Sequence, residues 1–114
     1  MRVLVVGAGP AGAATIRQLR KNPQIEISTV DASDEPYAVK HGVIDRVDYS
    51  ESLTPLNLDH VVAQAKPDLV LWTLATEDLA LGPTPGAEVL GQALRGEIAA
   101  IAEVPVIHVA RDAS

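Results

Sequence analysis

Three glycines near the start of the chain have the spacing of a phosphate-binding turn. Gly7, Gly9 and Gly12 follow a strand-like run, Arg2–Val6, and open a helical segment, Pro10–Lys21. We expect Gly7 to allow a tight turn, Gly9 to let the backbone approach a pyrophosphate, and Gly12 to let the helix pack closely on the sheet. Free N–H groups and the positive end of the helix dipole would complete an anion site.

The other residues of this turn are expected to line the same site: Ala8, Pro10 and Ala11. Pro10 suits the first turn of a helix, because its missing N–H would have no intrahelical partner there. The alternative interpretation is a glycine-rich turn that only packs the helix on the strand.

A second predicted strand, Gln24–Val30, runs into Asp31, nineteen residues after Gly12. In dinucleotide-binding folds an acidic residue about 20 positions beyond the glycine turn accepts hydrogen bonds from the adenosine ribose. A carboxylate there repels a 2′-phosphate, so Asp31, with Ala32 beside it, favours NAD over NADP. Alternatively, Asp31 only starts the turn that leads to Pro36, as a helix-capping residue.

Strand-like and helical segments alternate along the rest of the chain. The predicted elements are a short helix closed by Gly42, a strand, a helix, a strand, a helix and a last strand: Glu35–His41, Val43–Val47, Leu58–Lys66, Asp68–Leu74, Ala87–Ala102 and Val106–Ala110. Asn57 or Asp59 is the expected cap of the helix before Pro67. This alternation, with right-handed crossovers, predicts an α/β fold: a three-layer, Rossmann-like parallel sheet of five strands in the order 3-2-1-4-5.

In such a sheet the ligand site lies at the carboxyl ends of strands one and four, where the strand order reverses. The end of strand four is therefore expected to contribute cofactor-binding residues: Thr73, Ala75 and Thr76. Asp48 begins a polar turn, Asp48–Ser52, placed where the adenine end of a nucleotide would lie. The long loop Leu79–Gly86 is a predicted lid or partner surface. Its apolar Leu79–Leu81 patch predicts a homodimer.

The sequence pattern favours binding over catalysis. The histidines are expected at a helix end, on the surface and in the core, in this order: His41, His60 and His108. They are too far apart in the sequence to predict a metal site. Glu77 and Asp78 are the best-placed carboxylates, yet they need only cap the following turn. Ser50 and Ser52 have no nucleophile elbow around them.

Composition excludes several classes of protein. The chain has 114 residues, a formal net charge of −6 and no cysteine. This length predicts one domain, and the acidic balance argues against nucleic-acid binding. No apolar run approaches the ~20 residues of a membrane span. The N-terminus has no signal-peptide pattern, so we expect a cytoplasmic protein.

Taken together, these motifs resemble the nucleotide-binding domains of potassium-transport regulators, the RCK or KTN family of TrkA-N type. The matching segments are the glycine turn, the acidic end of strand two, the Gly-Val pair, the polar turn and strand four: Gly7–Gly12, Val30–Asp31, His41–Val43, Asp48–Ser52 and Asp68–Thr76. The resemblance implies a regulatory domain that binds a nucleotide. The run Gly-Ala-Gly-Pro-Ala-Gly is also similar to the N-terminal segment of flavoprotein oxidoreductases, over about the first 31 residues.

The sequence therefore predicts a stand-alone sensor, regulatory or accessory domain that binds NAD or NADH without autonomous catalysis. One alternative is a minimal NAD(P)- or FAD-dependent oxidoreductase, or the cofactor-binding subunit of one. A second alternative is an interaction module that has lost its ligand.

Overall fold

The computed structural model of the protein describes residues 1–51, 55–74 and 105–109. These residues form strands β1 to β5 and helices α1 to α3. The strands are Arg2–Val6, Glu26–Asp31, Tyr49–Ser50, Leu69–Trp72 and Val106–His108, and the helices are Pro10–Leu19, Tyr37–Lys40 and Pro55–Ala65. Every strand pair is parallel, and the strand order is β3-β2-β1-β4-β5. The predicted α/β class and the predicted order 3-2-1-4-5 are confirmed.

The sheet is covered on both faces. Alternate side chains of β1 point to opposite sides, and each set packs in a core cluster of its own. Leu4 and Val6 pack on one side with Val61 of α3. Val3 and Val5 pack on the other side, with α1 and α2, in a separate core cluster. Strands buried on both faces become continuous apolar runs, which is the reason that Arg2–Val6 and Leu69–Trp72 were recognisable in the sequence.

Helix α1 begins as predicted at Pro10 and ends at Leu19, two residues earlier than expected. Its buried face includes Ile16, and Leu19 packs beside the same core cluster. The N–H groups of Lys21 and Asn22 donate to carbonyls three residues back, so the chain leaves the helix in a tighter turn.

The third strand lies elsewhere than predicted. Val43–Val47 was the expected strand, but β3 is Tyr49–Ser50, inside the segment expected to be a polar turn. The N–H groups of Val43 and Ile44 both donate to the carbonyl of Ala38 in α2, at 2.8 and 3.2 Å. Val43 is buried in the core, where it belongs to a turn after α2. Its apolar side chain is therefore explained by core packing and not by a position in the sheet.

The start of α3 also differs from its prediction. The helix begins at Pro55 instead of Leu58, so Asn57 and Asp59 lie inside it and the prediction that either one caps it is wrong. Proline is favourable at the first helical position. The helix ends before Pro67, as predicted, with Lys66 at a φ of 50°.

Several predictions fall outside the described residues: the helix Ala87–Ala102, the loop Leu79–Gly86 with its Leu79–Leu81 patch, Glu77 and Asp78. In the part of the chain that is described, no helix is both long and apolar enough to cross a membrane.

Candidate functional site

Two of the three glycines in the turn after β1 are required by the packing of the chain itself. Gly7 has a φ of +99°, and a Cβ there would lie 2.6 Å from Oγ1 of Thr73. A Cβ on Gly12 would overlap the carbonyl oxygen of Gly7 and lie 2.8 Å from its carbonyl carbon. Side chains are therefore excluded at both positions, and α1 is held directly against the end of β1.

Gly9 differs from its two neighbours in this respect. A Cβ on Gly9 would meet none of the described atoms within 4 Å. Its φ of −75° and ψ of −163° are open to any residue. Neither backbone conformation nor contact with the described chain explains why this position is a glycine.

In the first half of the turn, Gly7 and Ala8, every backbone N–H and carbonyl group has a hydrogen-bond partner. Gly7 donates its N–H to the carbonyl of Val30 at 2.8 Å, and its own carbonyl accepts the hydroxyl of Thr73 at 3.1 Å. Ala8 donates its N–H to Oδ2 of Asp31 at 2.8 Å and accepts the N–H of Ala38, also at 2.8 Å. Strands β2 and β4 and helix α2 thus fix the backbone up to Ala8.

Within the described residues, the second half of the turn has free N–H donors. Among the described residues, no acceptor lies within bonding distance of the N–H groups of Gly9, Ala11 and Gly12. Gly9 is the N-cap of α1, and its lack of a side chain leaves the helix end without a side-chain cap within the described structure. The first turn carries no acidic residue. These free N–H groups and the helix dipole favour an anion.

A cleft of about 230 Å³ lies over this helix end. Residues from the glycine turn, from the loop after β2 and from the end of β4 line it: Gly9, Pro10, Ala11, Gly12, Asp31, Ala32, Ser33, Pro36, Thr73 and Leu74. Since β1 and β4 are the neighbours between which the strand order reverses, the cleft is at the predicted switch point of the sheet. Its volume is below the ≈ 300–1,000 Å³ that is usual for the pocket of a drug-sized ligand, so these residues would enclose only part of a ligand of that size.

No protein-family model matches this chain, and no curated protein is significantly similar to it.

Asp31 lies on the cleft and already has two partners. Its Oδ2 accepts the N–H of Ala8, and its Oδ1 accepts the N–H of Ser33 at 2.9 Å. The second bond is the turn-starting role that the sequence offered as an alternative. An ionised carboxylate has about four acceptor positions, so two remain for ribose hydroxyls. The ribose role stays a prediction.

The structure separates the predicted site residues into four groups, the last of which is Asp48, described below. Seven line the cleft: Gly9, Pro10, Ala11, Gly12, Asp31, Ala32 and Thr73. Gly7 and Ala8 lie behind the cleft, where they build the turn. Ala75 and Thr76 are outside the described residues. Sequence reasoning missed Ser33, Pro36 and Leu74. Their signal was weak, although a serine two residues after an aspartate is a common turn partner.

Asp48 is not a member of the cleft lining given above. Its Oδ2 accepts both the N–H and the hydroxyl of Thr29, at 2.8 and 3.1 Å, and its own N–H donates to that hydroxyl at 3.2 Å. Thr29 is buried in β2, two residues before Asp31. The pair therefore joins the approach to β3 to the middle of β2, and so supports the strand end that carries Asp31.

We expect Thr29→Val, which keeps the shape of the side chain but removes its hydroxyl, to lower the free energy of unfolding by about 1–2 kcal/mol. Two hydrogen bonds to Asp48 would be lost, while the bond from the Thr29 N–H would remain. Urea unfolding followed by circular dichroism measures this difference. Ser28→Ala, one residue earlier on the same strand, is the control and should change stability by less than about 0.5 kcal/mol. An unchanged Thr29→Val midpoint would show that the Asp48 pair does not stabilise the sheet.

The histidines show no catalytic arrangement in the described residues. His41 is exposed and stacks on Tyr37, with ring centroids 4.0 Å apart. His60 is exposed on α3, as expected, and the side chain of His108 is outside the described part. The described residues contain no group of three side chains suited to a metal ion.

Proposed function

We propose that this chain binds an adenine dinucleotide, NAD or NADH, as a sensor, regulatory or accessory domain that does not catalyse a reaction by itself. One observation carries the proposal. Every backbone N–H and carbonyl group of Gly7 and Ala8 is hydrogen-bonded, whereas the N–H groups of Gly9, Ala11 and Gly12 have no partner among the described residues and lie on a cleft that also contains Asp31.

The three open N–H groups would hold the pyrophosphate. The whole chain carries a formal net charge of −6, so its overall charge does not attract an anion. The attraction must therefore come from the N–H groups themselves. Gly9 supports this role, because a ligand that approaches its backbone closely would account for a glycine that the described chain does not itself require.

Asp31 would accept hydrogen bonds from the adenosine ribose through its remaining lone pairs. A 2′-phosphate at this position would lie next to a carboxylate, and two such charges 4 Å apart repel each other by roughly 4 kcal/mol near a protein surface. The proposal is therefore NAD or NADH in preference to NADP.

Bound NAD could supply hydride-transfer chemistry if a partner completed a substrate site. The described residues support holding the cofactor and no further step, because the cleft lining contains a single carboxylate and neither a histidine nor a lysine. A regulatory setting, such as the one implied by the resemblance to the RCK or KTN family, and a homodimer belong to the proposal as well.

The test is thermal unfolding of the purified chain with NAD, NADH, NADP, FAD, S-adenosylmethionine and ATP in parallel. At about 100 times its dissociation constant, NAD should add about 2.7 kcal/mol to the free energy of unfolding. The affinity for NADP should be at least about tenfold lower than that for NAD, because of Asp31.

The outcomes separate the candidate functions. Equal shifts with NAD and NADP would remove the ribose role from Asp31. A shift with FAD alone would favour the flavoprotein alternative. No shift with any compound would contradict dinucleotide binding and leave an interaction module. Turnover of NADH by the chain alone would favour the oxidoreductase alternative.

A further inference from the structure

The peptide group between Gly7 and Ala8 is held at both ends. Its carbonyl oxygen shares the hydroxyl hydrogen of Thr73, the residue after β4, at 3.1 Å, while the same hydroxyl donates to the carbonyl of Val6 at 2.8 Å. Its N–H donates to Oδ2 of Asp31, at the end of β2, at 2.8 Å. Thr73 is 6% exposed and Ala8 is 0% exposed, so water has little access to the Thr73 hydroxyl and to the Ala8 N–H, while the Asp31 carboxylate that accepts this N–H is half-buried on the cleft.

The orientation of this peptide group matters for the open half of the turn. The carbonyl oxygen of Gly7 is the atom against which Gly12 packs, so a rotation of the peptide group would move the first turn of α1. The next peptide group has its carbonyl on the N–H of Ala38, and its own N–H is the free donor of Gly9. In a trans peptide the N–H points opposite to the carbonyl, so these contacts fix the direction of the Gly9 donor.

We infer that Asp31 is a positioning residue for the anion site, in addition to the ribose role that we propose for it. Its Oδ2 holds the peptide group of Gly7 and Ala8 so that the N–H groups of Gly9, Ala11 and Gly12 converge on the pyrophosphate. This inference rests on the proposed function. It adds that Asp31 supports the binding of a phosphate group that it does not itself contact.

The two roles predict opposite results for a ligand that has no ribose. If Asp31 only accepts the ribose, its removal leaves the affinity for inorganic pyrophosphate unchanged or raises it, since a nearby negative charge is lost. If Asp31 holds the turn, its removal weakens pyrophosphate binding, because the donors are no longer fixed before the anion arrives.

The experiment is an NMR titration of the whole chain with inorganic pyrophosphate and, separately, with NAD. Asp31→Ala removes both acceptor oxygens. Asp68→Ala is the matched control: it removes the same charge, and its Oδ2 accepts a backbone N–H, that of Arg2, at 2.9 Å, at the amino ends of the strands. We expect Asp31→Ala to weaken pyrophosphate about tenfold. Asp68→Ala should leave the pyrophosphate affinity unchanged, and the Ala8 amide should exchange faster with solvent only in Asp31→Ala.

Each result decides between the roles. Weaker NAD binding by Asp31→Ala, with unchanged or tighter pyrophosphate binding, would overturn the inference and leave the ribose role. Wild-type protein that binds NAD but no pyrophosphate would also overturn it, because there would be no preformed anion site to position. Wild-type protein that binds neither ligand would contradict the proposed function itself. If Asp31→Ala does not fold, Asp31→Asn keeps the shape and one acceptor, and a several-fold loss of pyrophosphate affinity is then expected.

Discussion

Replacing Gly12 with alanine is expected to destabilise the fold by about 4 kcal/mol or more, a loss at the extreme of single substitutions. The added methyl group would overlap the carbonyl oxygen of Gly7, which is backbone and cannot rotate away. Relief would require α1 to move off the sheet, and the helix supplies Ala13 and Ile16 to the core. Domains of this size are stable by only 5–15 kcal/mol, so much of the total would be lost. Urea or thermal unfolding measures the change.

Gly9→Ala is the control for this substitution, because it adds the same methyl group three residues earlier in the same turn. No described atom lies within 4 Å of that methyl position, so stability should stay within about 0.5 kcal/mol of wild type. If Gly12→Ala unfolded at the same urea concentration as Gly9→Ala, α1 would not be tightly packed at this point. The described contact between Gly7 and Gly12 would then have to be wrong.

The strand order could be predicted from the sequence because it depends on features that single segments carry. Apolar runs such as Val3–Val6 and Leu69–Trp72 identify strands buried on both faces. Helical segments between them require parallel strands joined by right-handed crossovers, and few orders satisfy that rule. The glycine spacing and Asp31 then place the cleft at the carboxyl ends of the central strands.

The position of β3 could not be predicted in the same way. Val43 and Ile44 have the apolar character of a strand, but their N–H groups are already used by the carbonyl of Ala38. Pairing with β2 begins at Tyr49, the residue after Asp48, and the side chain of Asp48 is bonded to Thr29, nineteen residues away. Side-chain bonds to a distant backbone leave no periodic signal, so the sequence favoured the apolar run Val43–Val47 as the strand and the polar residues after it as a turn.

The same limit applies to Asp31. Its position after β2 indicated a ribose acceptor, which is a role toward a ligand. Its bonds to Ala8 and Ser33 are roles toward the chain: the bond to Ser33 is local and was the turn-starting alternative in the sequence, whereas the bond to Ala8 depends on how β1 and β2 are brought together. A residue can serve both roles since a carboxylate has more acceptor positions than either role needs. Sequence reasoning found the residue and its turn-starting role but could not find its contact with Ala8.

Gly9→Ala is expected to reduce the affinity for NAD about a hundredfold, a difference of about 2.7 kcal/mol, while the protein unfolds as wild type does. The methyl group would occupy the open space beside the Gly9 N–H, on the cleft where the pyrophosphate is proposed to lie. The phosphate would have to withdraw from the donors of Gly9, Ala11 and Gly12, and charge-assisted hydrogen bonds lose strength quickly with distance. Isothermal titration calorimetry with NAD measures the loss.

Gly42→Ala separates this effect from a general consequence of replacing a glycine. Gly42 has a φ of +72°, so alanine there should cost roughly 1–2 kcal/mol of stability. Gly42 closes α2 outside the cleft, and its replacement should leave NAD affinity unchanged. We thus expect opposite effects from the two variants: Gly9→Ala lowers the affinity for NAD and leaves stability unchanged, and Gly42→Ala lowers stability and leaves the affinity unchanged. If Gly9→Ala bound NAD as wild type does, the dinucleotide would not approach the turn at Gly9. The open donors there would then need another ligand to explain them.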